Sequence, residues 1–330
     1  MGEPQIAELP SWLHFVSLGY PSANLVVSSE GQRVLFDAGF GSDTVRTVEA
    51  LDGVGVSPGS IDLLVNTHFH SDHVGGNSVL QSEHHLPIAA ASVDAEEVNR
   101  ASTNACLAEW LDQPVEQYHV DRPLAPGKTL KVGPADWEIL STPGHTPNHL
   151  SFYQPDEQVL VIGDAVHAND VGWINLAIDG PAAIDTALRT VERLADLPVR
   201  VGLPGHGPAV TNPAKTFASA HARYEKMRAD PQRAAWHACK RIFAFALMIN
   251  DGIPVSEVSG YLTTRPWLVD HAVKVFEATP EALADDLLGE MRRTGAVAER
   301  DRRLVCLTRH HHPAKNWLRT PGYPRDWNRG

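Results

Sequence analysis

Short apolar runs alternate with longer amphipathic stretches along the first two thirds of the chain. Residues 24–28 (Asn-Leu-Val-Val-Ser) and 33–37 (Arg-Val-Leu-Phe-Asp) read as strands joined by a turn at Glu30-Gly31-Gln32. Residues 61–66, 87–91, 137–141, 150–153, 158–162 and 199–203 read as further strands. Helices are predicted over 42–51, with Ser42 as N-cap, over 93–111 and over 181–197. Strands that alternate with helices imply a layered α/β domain. From about residue 226 the pattern turns helical, over 233–249, 255–262, 267–276 and 280–294. The last of these has Thr279 as its cap, Pro280 at the first helical position and Gly295 just past its end. Residues 296–308 then read as two short strands around a charged turn, and helices followed by a hairpin outline a winged-helix domain. The aromatic residues Trp236, Phe243, Phe245, Trp267 and Phe276 fit a core, and residues 309–330 read as irregular.

Charge supports a division at this point. The chain has 330 residues and a formal net charge of −12. Residues 1–225 carry 11 Lys/Arg against 28 Asp/Glu, whereas residues 226–330 carry 17 against 12. We therefore expect a catalytic domain over 1–225 and a helical, winged-helix-like domain with a tail over 226–330. The acidic first region argues against nucleic acid as its substrate. No apolar run approaches the ~20 residues of a membrane helix, and no secretory pattern opens the sequence. Three scattered cysteines (Cys106, Cys239, Cys306) form neither a metal pair nor a disulfide framework, so a cytoplasmic setting is expected.

The unusual count is 17 histidines. Three of them, with one carboxylate, crowd into Thr67-His68-Phe69-His70-Ser71-Asp72-His73, between a predicted strand and a Gly75-Gly76 helix start. Imidazole and carboxylate together suit zinc and similar divalent metals. Further donors stand at the ends of other predicted strands: Asp37, His145, Asp164 and His206. Loops at strand ends are where α/β layers carry their sites. Three histidine groups are expected outside this set: His149 as a structural residue, and His84-His85 and His310-His311-His312 as exposed loops.

With these residues the sequence resembles the metallo-β-lactamase superfamily, through His68-x-His70-x-Asp72-His73 followed in order by His145, Asp164 and His206. The resemblance covers about residues 12–225 and implies an αββα sandwich. It implies that His68, His70 and His145 hold one divalent metal and that Asp72, His73 and His206 hold a second. Asp164 would bridge the two with a water or hydroxide, and Asp37 would orient a ligand histidine from behind. Zinc is expected, with iron and manganese also compatible. Aspartate at position 164, together with Pro204-Gly-His-Gly-Pro208, is similar to the glyoxalase-II-like and lactonase-like hydrolases.

The implied chemistry is hydrolysis by a bridging hydroxide, oriented by Asp72, on a carboxyl ester, thioester or lactone carbonyl. The alternatives are a phosphodiesterase or nuclease of the same superfamily, and a non-catalytic regulator binding nucleic acid through its C-terminal domain. His167 and Trp173 are candidates for the substrate pocket, although packing alone also accounts for Trp173. Asn148 stands where a glycine is common in such sequences, and no basic cluster offers itself to a glutathione carboxylate. The expected partner is a small-molecule substrate rather than nucleic acid or membrane. The C-terminal domain would cover the site or form a homodimer.

Overall fold

The computed structural model describes residues 8–329. Two sheets form its centre. In the first, the strands Leu13–Val16, Leu25–Ser28, Val34–Phe36, Leu63–Val65, Ile88–Ala91 and Arg122–Leu124 lie side by side in chain order. The first three are antiparallel to one another and the last four parallel. In the second, the order is Val201–Pro204, Val159–Gly163, Leu150–Gln154, Ala135–Ser141 and Thr129–Val132, with only the first pair parallel.

Successive strand residues point to opposite faces, and here both faces are buried. Phe36, Val65 and Ala89 turn inward and meet Val159, Val161, Trp137 and Phe152 of the second sheet. Their neighbours Leu35, Leu64 and Ile88 turn outward onto Leu51, Leu80, Ala95 and Val98 of three helices. Leu160 and Ile162 do the same on the other side, against helices Ala182–Ala195 and Pro213–Ala229. The apolar residues Ile184, Ala187, Leu188, Val191 and Leu194 recur at helical spacing, which gives the first of these helices one apolar face. The result is the expected αββα layering.

Several sequence readings need correction. The helix predicted over 93–111 is three pieces: Ser92–Asn99, a 3-10 turn Ala105–Leu107, and Ala108–Leu111. Ser102 breaks it locally, its hydroxyl accepting from the Asn104 N–H at 3.3 Å. Ala101, Cys106 and Leu107 take positive φ angles, which a continuous right-handed α-helix does not tolerate. Ser42 is not a side-chain cap; it lies in a 3-10 turn, and the α-helix begins at Thr44. The edge strands Leu13–Val16, Arg122–Leu124 and Thr129–Val132 and the helix Pro213–Ala229 lie outside the strands and helices expected from sequence.

After the helix Gln232–Ile249 come Val258–Thr264, then Pro266–His271 closing in a π-turn, then Pro280–Arg293. Thr279 caps the last as expected, its hydroxyl accepting from the Ala282 N–H. The strands Val297–Arg300 and Arg303–Cys306 form the expected hairpin, joined by a two-residue strand Ile253–Pro254. Phe243 and Trp267 are fully buried in the core of this part, which also takes in Leu111. The tail is irregular but tied down. Trp327 sits in the core of the first sheet's helix layer, and His311, read as exposed, bonds the backbone of Leu18 and Tyr20.

Candidate metal centre

The parallel strands of both sheets end at one edge, and the donors follow directly from those ends. Asp37 comes after Val34–Phe36, His68 after Leu63–Val65, Asp164 after Val159–Gly163 and His206 after Val201–Pro204. His145 lies in the turn between Ala135–Ser141 and Leu150–Gln154. Asp72 and His73 sit on a single helical turn, Ser71–Val74. Glycines allow the close packing behind them. A Cβ on Gly205 would overlap Asp164 Oδ1, and Gly163, at φ +61°, lies against His149.

Seven side chains meet in three overlapping groups: His68, His70 and His145; His68, His73 and Asp164; and Asp72, His73 and His206. Within each group the donor atoms lie within 4.8 Å of one another. The contacts suit a set of cation ligands. His145 Nδ1 donates to the Trp173 carbonyl at 2.7 Å, which leaves Nε2 as a lone pair. That lone pair faces His70 Nδ1 at 2.9 Å, and His70 Nδ1 also faces His68 Nε2 at 3.1 Å. One N–H cannot serve both neighbours. His73 Nε2 and Asp164 Oδ1, both facing the cluster, are buried with no hydrogen-bond partner. Buried polar atoms left so are costly, and a divalent ion is what this donor set fits.

Electrostatics divide the cluster into two halves. Burial, reinforced by neighbouring imidazoles, holds His68 and His70 well below the ordinary histidine range and His145 at about 4. These rings are therefore neutral and able to ligate. Burial also pulls His73 down, but Asp37, Asp164 and Asp72 outweigh it and raise its pKa well above the usual value. Burial raises Asp164, yet His206, His73 and His167 together hold it well below the carboxylate range. Asp164 lies between the halves. Oδ2 is 3.7 Å from His145 Nε2 and 3.6 Å from His206 Nε2, and Oδ1 is 3.4 Å from His73 Nε2.

Asp37 stands behind the cluster. Its carboxylate accepts from His73 Nδ1 at 2.7 Å, from the Thr67 N–H at 2.8 Å and from the Thr67 hydroxyl at 2.9 Å. It thereby fixes the tautomer and orientation of His73.

The description of the metallo-beta-lactamase superfamily matches residues 17–206, more than half of the chain. The chain belongs to that superfamily. It is 30% identical over 151 residues to a hydroxyacylglutathione hydrolase of Methylococcus capsulatus, covering 46% of this chain and 48% of that one. It is 28% identical over 221 residues to a thioesterase of Emericella nidulans, covering 65% and 54%. The chain spans about half the length of these curated relatives. A metallo-beta-lactamase family protein from Thermus thermophilus shares the fold with a TM-score of 0.56 at 23% identity, covering 91% of this chain and 100% of that one.

The superfamily motif thus lies where its residues meet, and the other candidates can be placed around it. His149 is structural: Nδ1 contacts the Thr142 hydroxyl at 2.8 Å, and Nε2 accepts from the Asp164 N–H at 3.0 Å. His167 reaches the cluster, with Nε2 at 3.2 Å from Asp164 Oδ1. Trp173 stacks on His70 with ring centroids 5.1 Å apart, so it both packs and lines the site. Both border a chamber of about 90 Å³ over Asp72, Asp164 and His206. Arg241, Ile242, Phe245 and Met248 of the C-terminal helix Gln232–Ile249 form the opposite wall. Tyr20, which sequence reasoning missed, stacks on His206 at 5.0 Å and 16° and lines the same chamber. No local pattern around Tyr20 signals this role.

Proposed function

We propose that the chain is a binuclear metal-dependent hydrolase of activated carboxyl compounds: thioesters first, with carboxyl esters and lactones in the same class. The observation that carries this reading is the convergence of seven buried or half-buried donors with unpaired atoms facing one another. His68, His70 and His145 would hold one ion, Asp72, His73 and His206 the second, and Asp164 both. Zinc is the first expectation for this donor set, with iron and manganese compatible. Two such ions supply Lewis acidity and a water of lowered pKa. Asp72, beside His206 at 3.0 Å, orients the attacking group and accepts its proton. His70 and His145 are fixed by Trp173, through stacking on the one and the carbonyl bond to the other.

The thioester preference draws on the relatives named hydroxyacylglutathione hydrolase and thioesterase. We assign residues 1–225 to the catalytic domain and residues 226–330 to a winged-helix-like domain that roofs the chamber. That role is supported by the wall which Gln232–Ile249 contributes. We place the protein in the reducing cytoplasm, since Cys106, Cys239 and Cys306 are buried and unpaired. No helix among the described residues is long and apolar enough to cross a membrane.

The test is a panel of thioester, ester, lactone and phosphodiester substrates, with metal content measured on the same preparation. Carbonyl substrates should be cleaved, with about two metal ions per chain. His70→Ala and Asp164→Ala should lose metal and turnover together. Wild-type turnover in either variant refutes the assignment.

A further inference from the structure

A second cavity, of about 240 Å³, borders the chamber at His70 and Trp173 and is also lined by His145. At the ~30 Å³ of a liquid water molecule, that is room for about eight small groups. Phe69, Val98, Leu107 and Trp173 give it apolar walls. Its polar wall is unusual. Asp94 and Glu97, one helical turn apart on Ser92–Asn99, face it together with Asp179, and no lysine or arginine lines it.

Several of these polar groups have no protein partner. Glu97 Oε2 is buried without a hydrogen bond. Asn175 is 2% exposed; its side-chain oxygen accepts from the Ile178 N–H, which leaves Nδ2 pointing away with no acceptor. Thr146, next to His145 and 1% exposed, has an unpartnered hydroxyl. Asp94, 6% exposed, receives one hydrogen bond, from Asn148 Nδ2 at 2.8 Å. A buried Asp94 and a half-buried Glu97 without a cation, facing an unused amide donor in a cavity beside the donor cluster, make a site lacking its occupant.

We propose that this cavity is the acyl-group subsite, and that it takes a positively charged acyl chain. The chain's ammonium group sits between Asp94 and Glu97, and an acceptor oxygen of the ligand meets Asn175 Nδ2. The assignment rests on the hydrolase reading for the position of the scissile carbonyl, over His70 and His145. Burial, with Glu97 adding to it, pushes the Asp94 carboxyl up to about 7, as expected of a carboxylate whose cation is missing. A chain ending in carboxylate meets repulsion here. A plain alkyl chain fills the volume but leaves Glu97 Oε2 unpaired.

The test compares N-acetylcysteamine thioesters of β-alanine, butyric acid and succinic acid, the first two being nearly equal in size and shape. For the zinc-loaded protein, kcat/KM for the β-alanyl thioester should exceed that for the butyryl thioester at least tenfold, with the succinyl thioester poorest. In Asp94→Asn and in Glu97→Gln the β-alanyl to butyryl ratio should fall toward one. Equal or better use of the butyryl or succinyl thioester overturns the proposal, as does a ratio preserved in both variants. Calorimetric binding of β-alaninamide against butyramide separates the two levels. If no thioester is cleaved, the hydrolase reading fails. The subsite stands if β-alaninamide still binds tenfold tighter than butyramide and loses that advantage in the variants, and it falls if the two amides bind alike or not at all.

Discussion

Replacing Asp37 by Asn tests how the centre is built, because it changes one atom and keeps the volume. Asp37 adopts φ 60°, a conformation Asn tolerates as well as Asp does, so backbone strain is not introduced. One carboxylate oxygen serves the Thr67 N–H at 2.8 Å, and the other serves the Thr67 hydroxyl and His73 Nδ1–H. In Asn the amide oxygen must stay on the Thr67 N–H, which turns the NH₂ toward His73. His73 then has to accept at Nδ1 and carry its proton on Nε2, the atom that faces Asp72 and Asp164. A protonated Nε2 has no lone pair for a metal. Loss of such an orienting partner lowers metal affinity by about 10–100-fold, equivalent to about 1.4–2.8 kcal/mol. The opposite amide orientation is no escape, since a buried donor pressed against the Thr67 N–H costs about 1–3 kcal/mol. Zinc titration against a chromophoric chelator should therefore show one strong equivalent retained and the other weakened, with denaturant unfolding confirming that the variant is folded. Two equivalents bound with wild-type affinity would refute the tautomer argument and with it the role of Asp37.

Three further predictions follow from the packing. Gly205→Ala drives its methyl into Asp164 Oδ1 and to within 2.7 Å of His73 Cε1, while Gly205 is held by bonds to Asn24 and Gly163. Displacing the carboxylate by about 1 Å should cost roughly a hundredfold in turnover, and near-normal rates would show the cluster to be tolerant. Trp327→Ala empties a site that is 4% exposed and loses the bond from Nε1 to the Val115 carbonyl. Denaturant unfolding should report a loss of about 3–5 kcal/mol, and under about 1 kcal/mol would mean that the tail is a loose appendage. Asp94 has its pKa raised from 3.8 to about 7 by burial, so it binds its proton more tightly folded than unfolded. Its contribution favours folding below pH 4 and is lost as pH rises toward 7. Metal-free Asp94→Asn should thus be more stable than wild type at pH 8, by up to about 4 kcal/mol, and no more stable at pH 4. An unchanged difference across that range contradicts the reading of Asp94 as a buried carboxyl without a cation.

Local sequence was sufficient for the central strands and for naming the candidate donors. Strands such as Leu63–Val65 and Val159–Gly163 are buried on both faces and read as short apolar runs, and Asp37, His68, Asp164 and His206 stand one to three residues past the ends of such runs. Thr279, Pro280 and Gly295 mark their helix because caps depend on neighbours along the chain. Other features depend on residues far apart in sequence, and no local pattern carries them. The break after Asn99 is one, where Ala101 turns into the core at a positive φ. The arrival of Tyr20 on His206 is another, as is the wall that Arg241 and Phe245 give to the chamber. Above all, the unpaired state of Glu97, Thr146 and Asn175 emerges only when three separate segments close around one cavity. The choice of candidate donors is a matter of residue type and spacing, which the chain carries in itself. Which polar atoms end up without a partner is decided by packing, because only the folded molecule takes their water away.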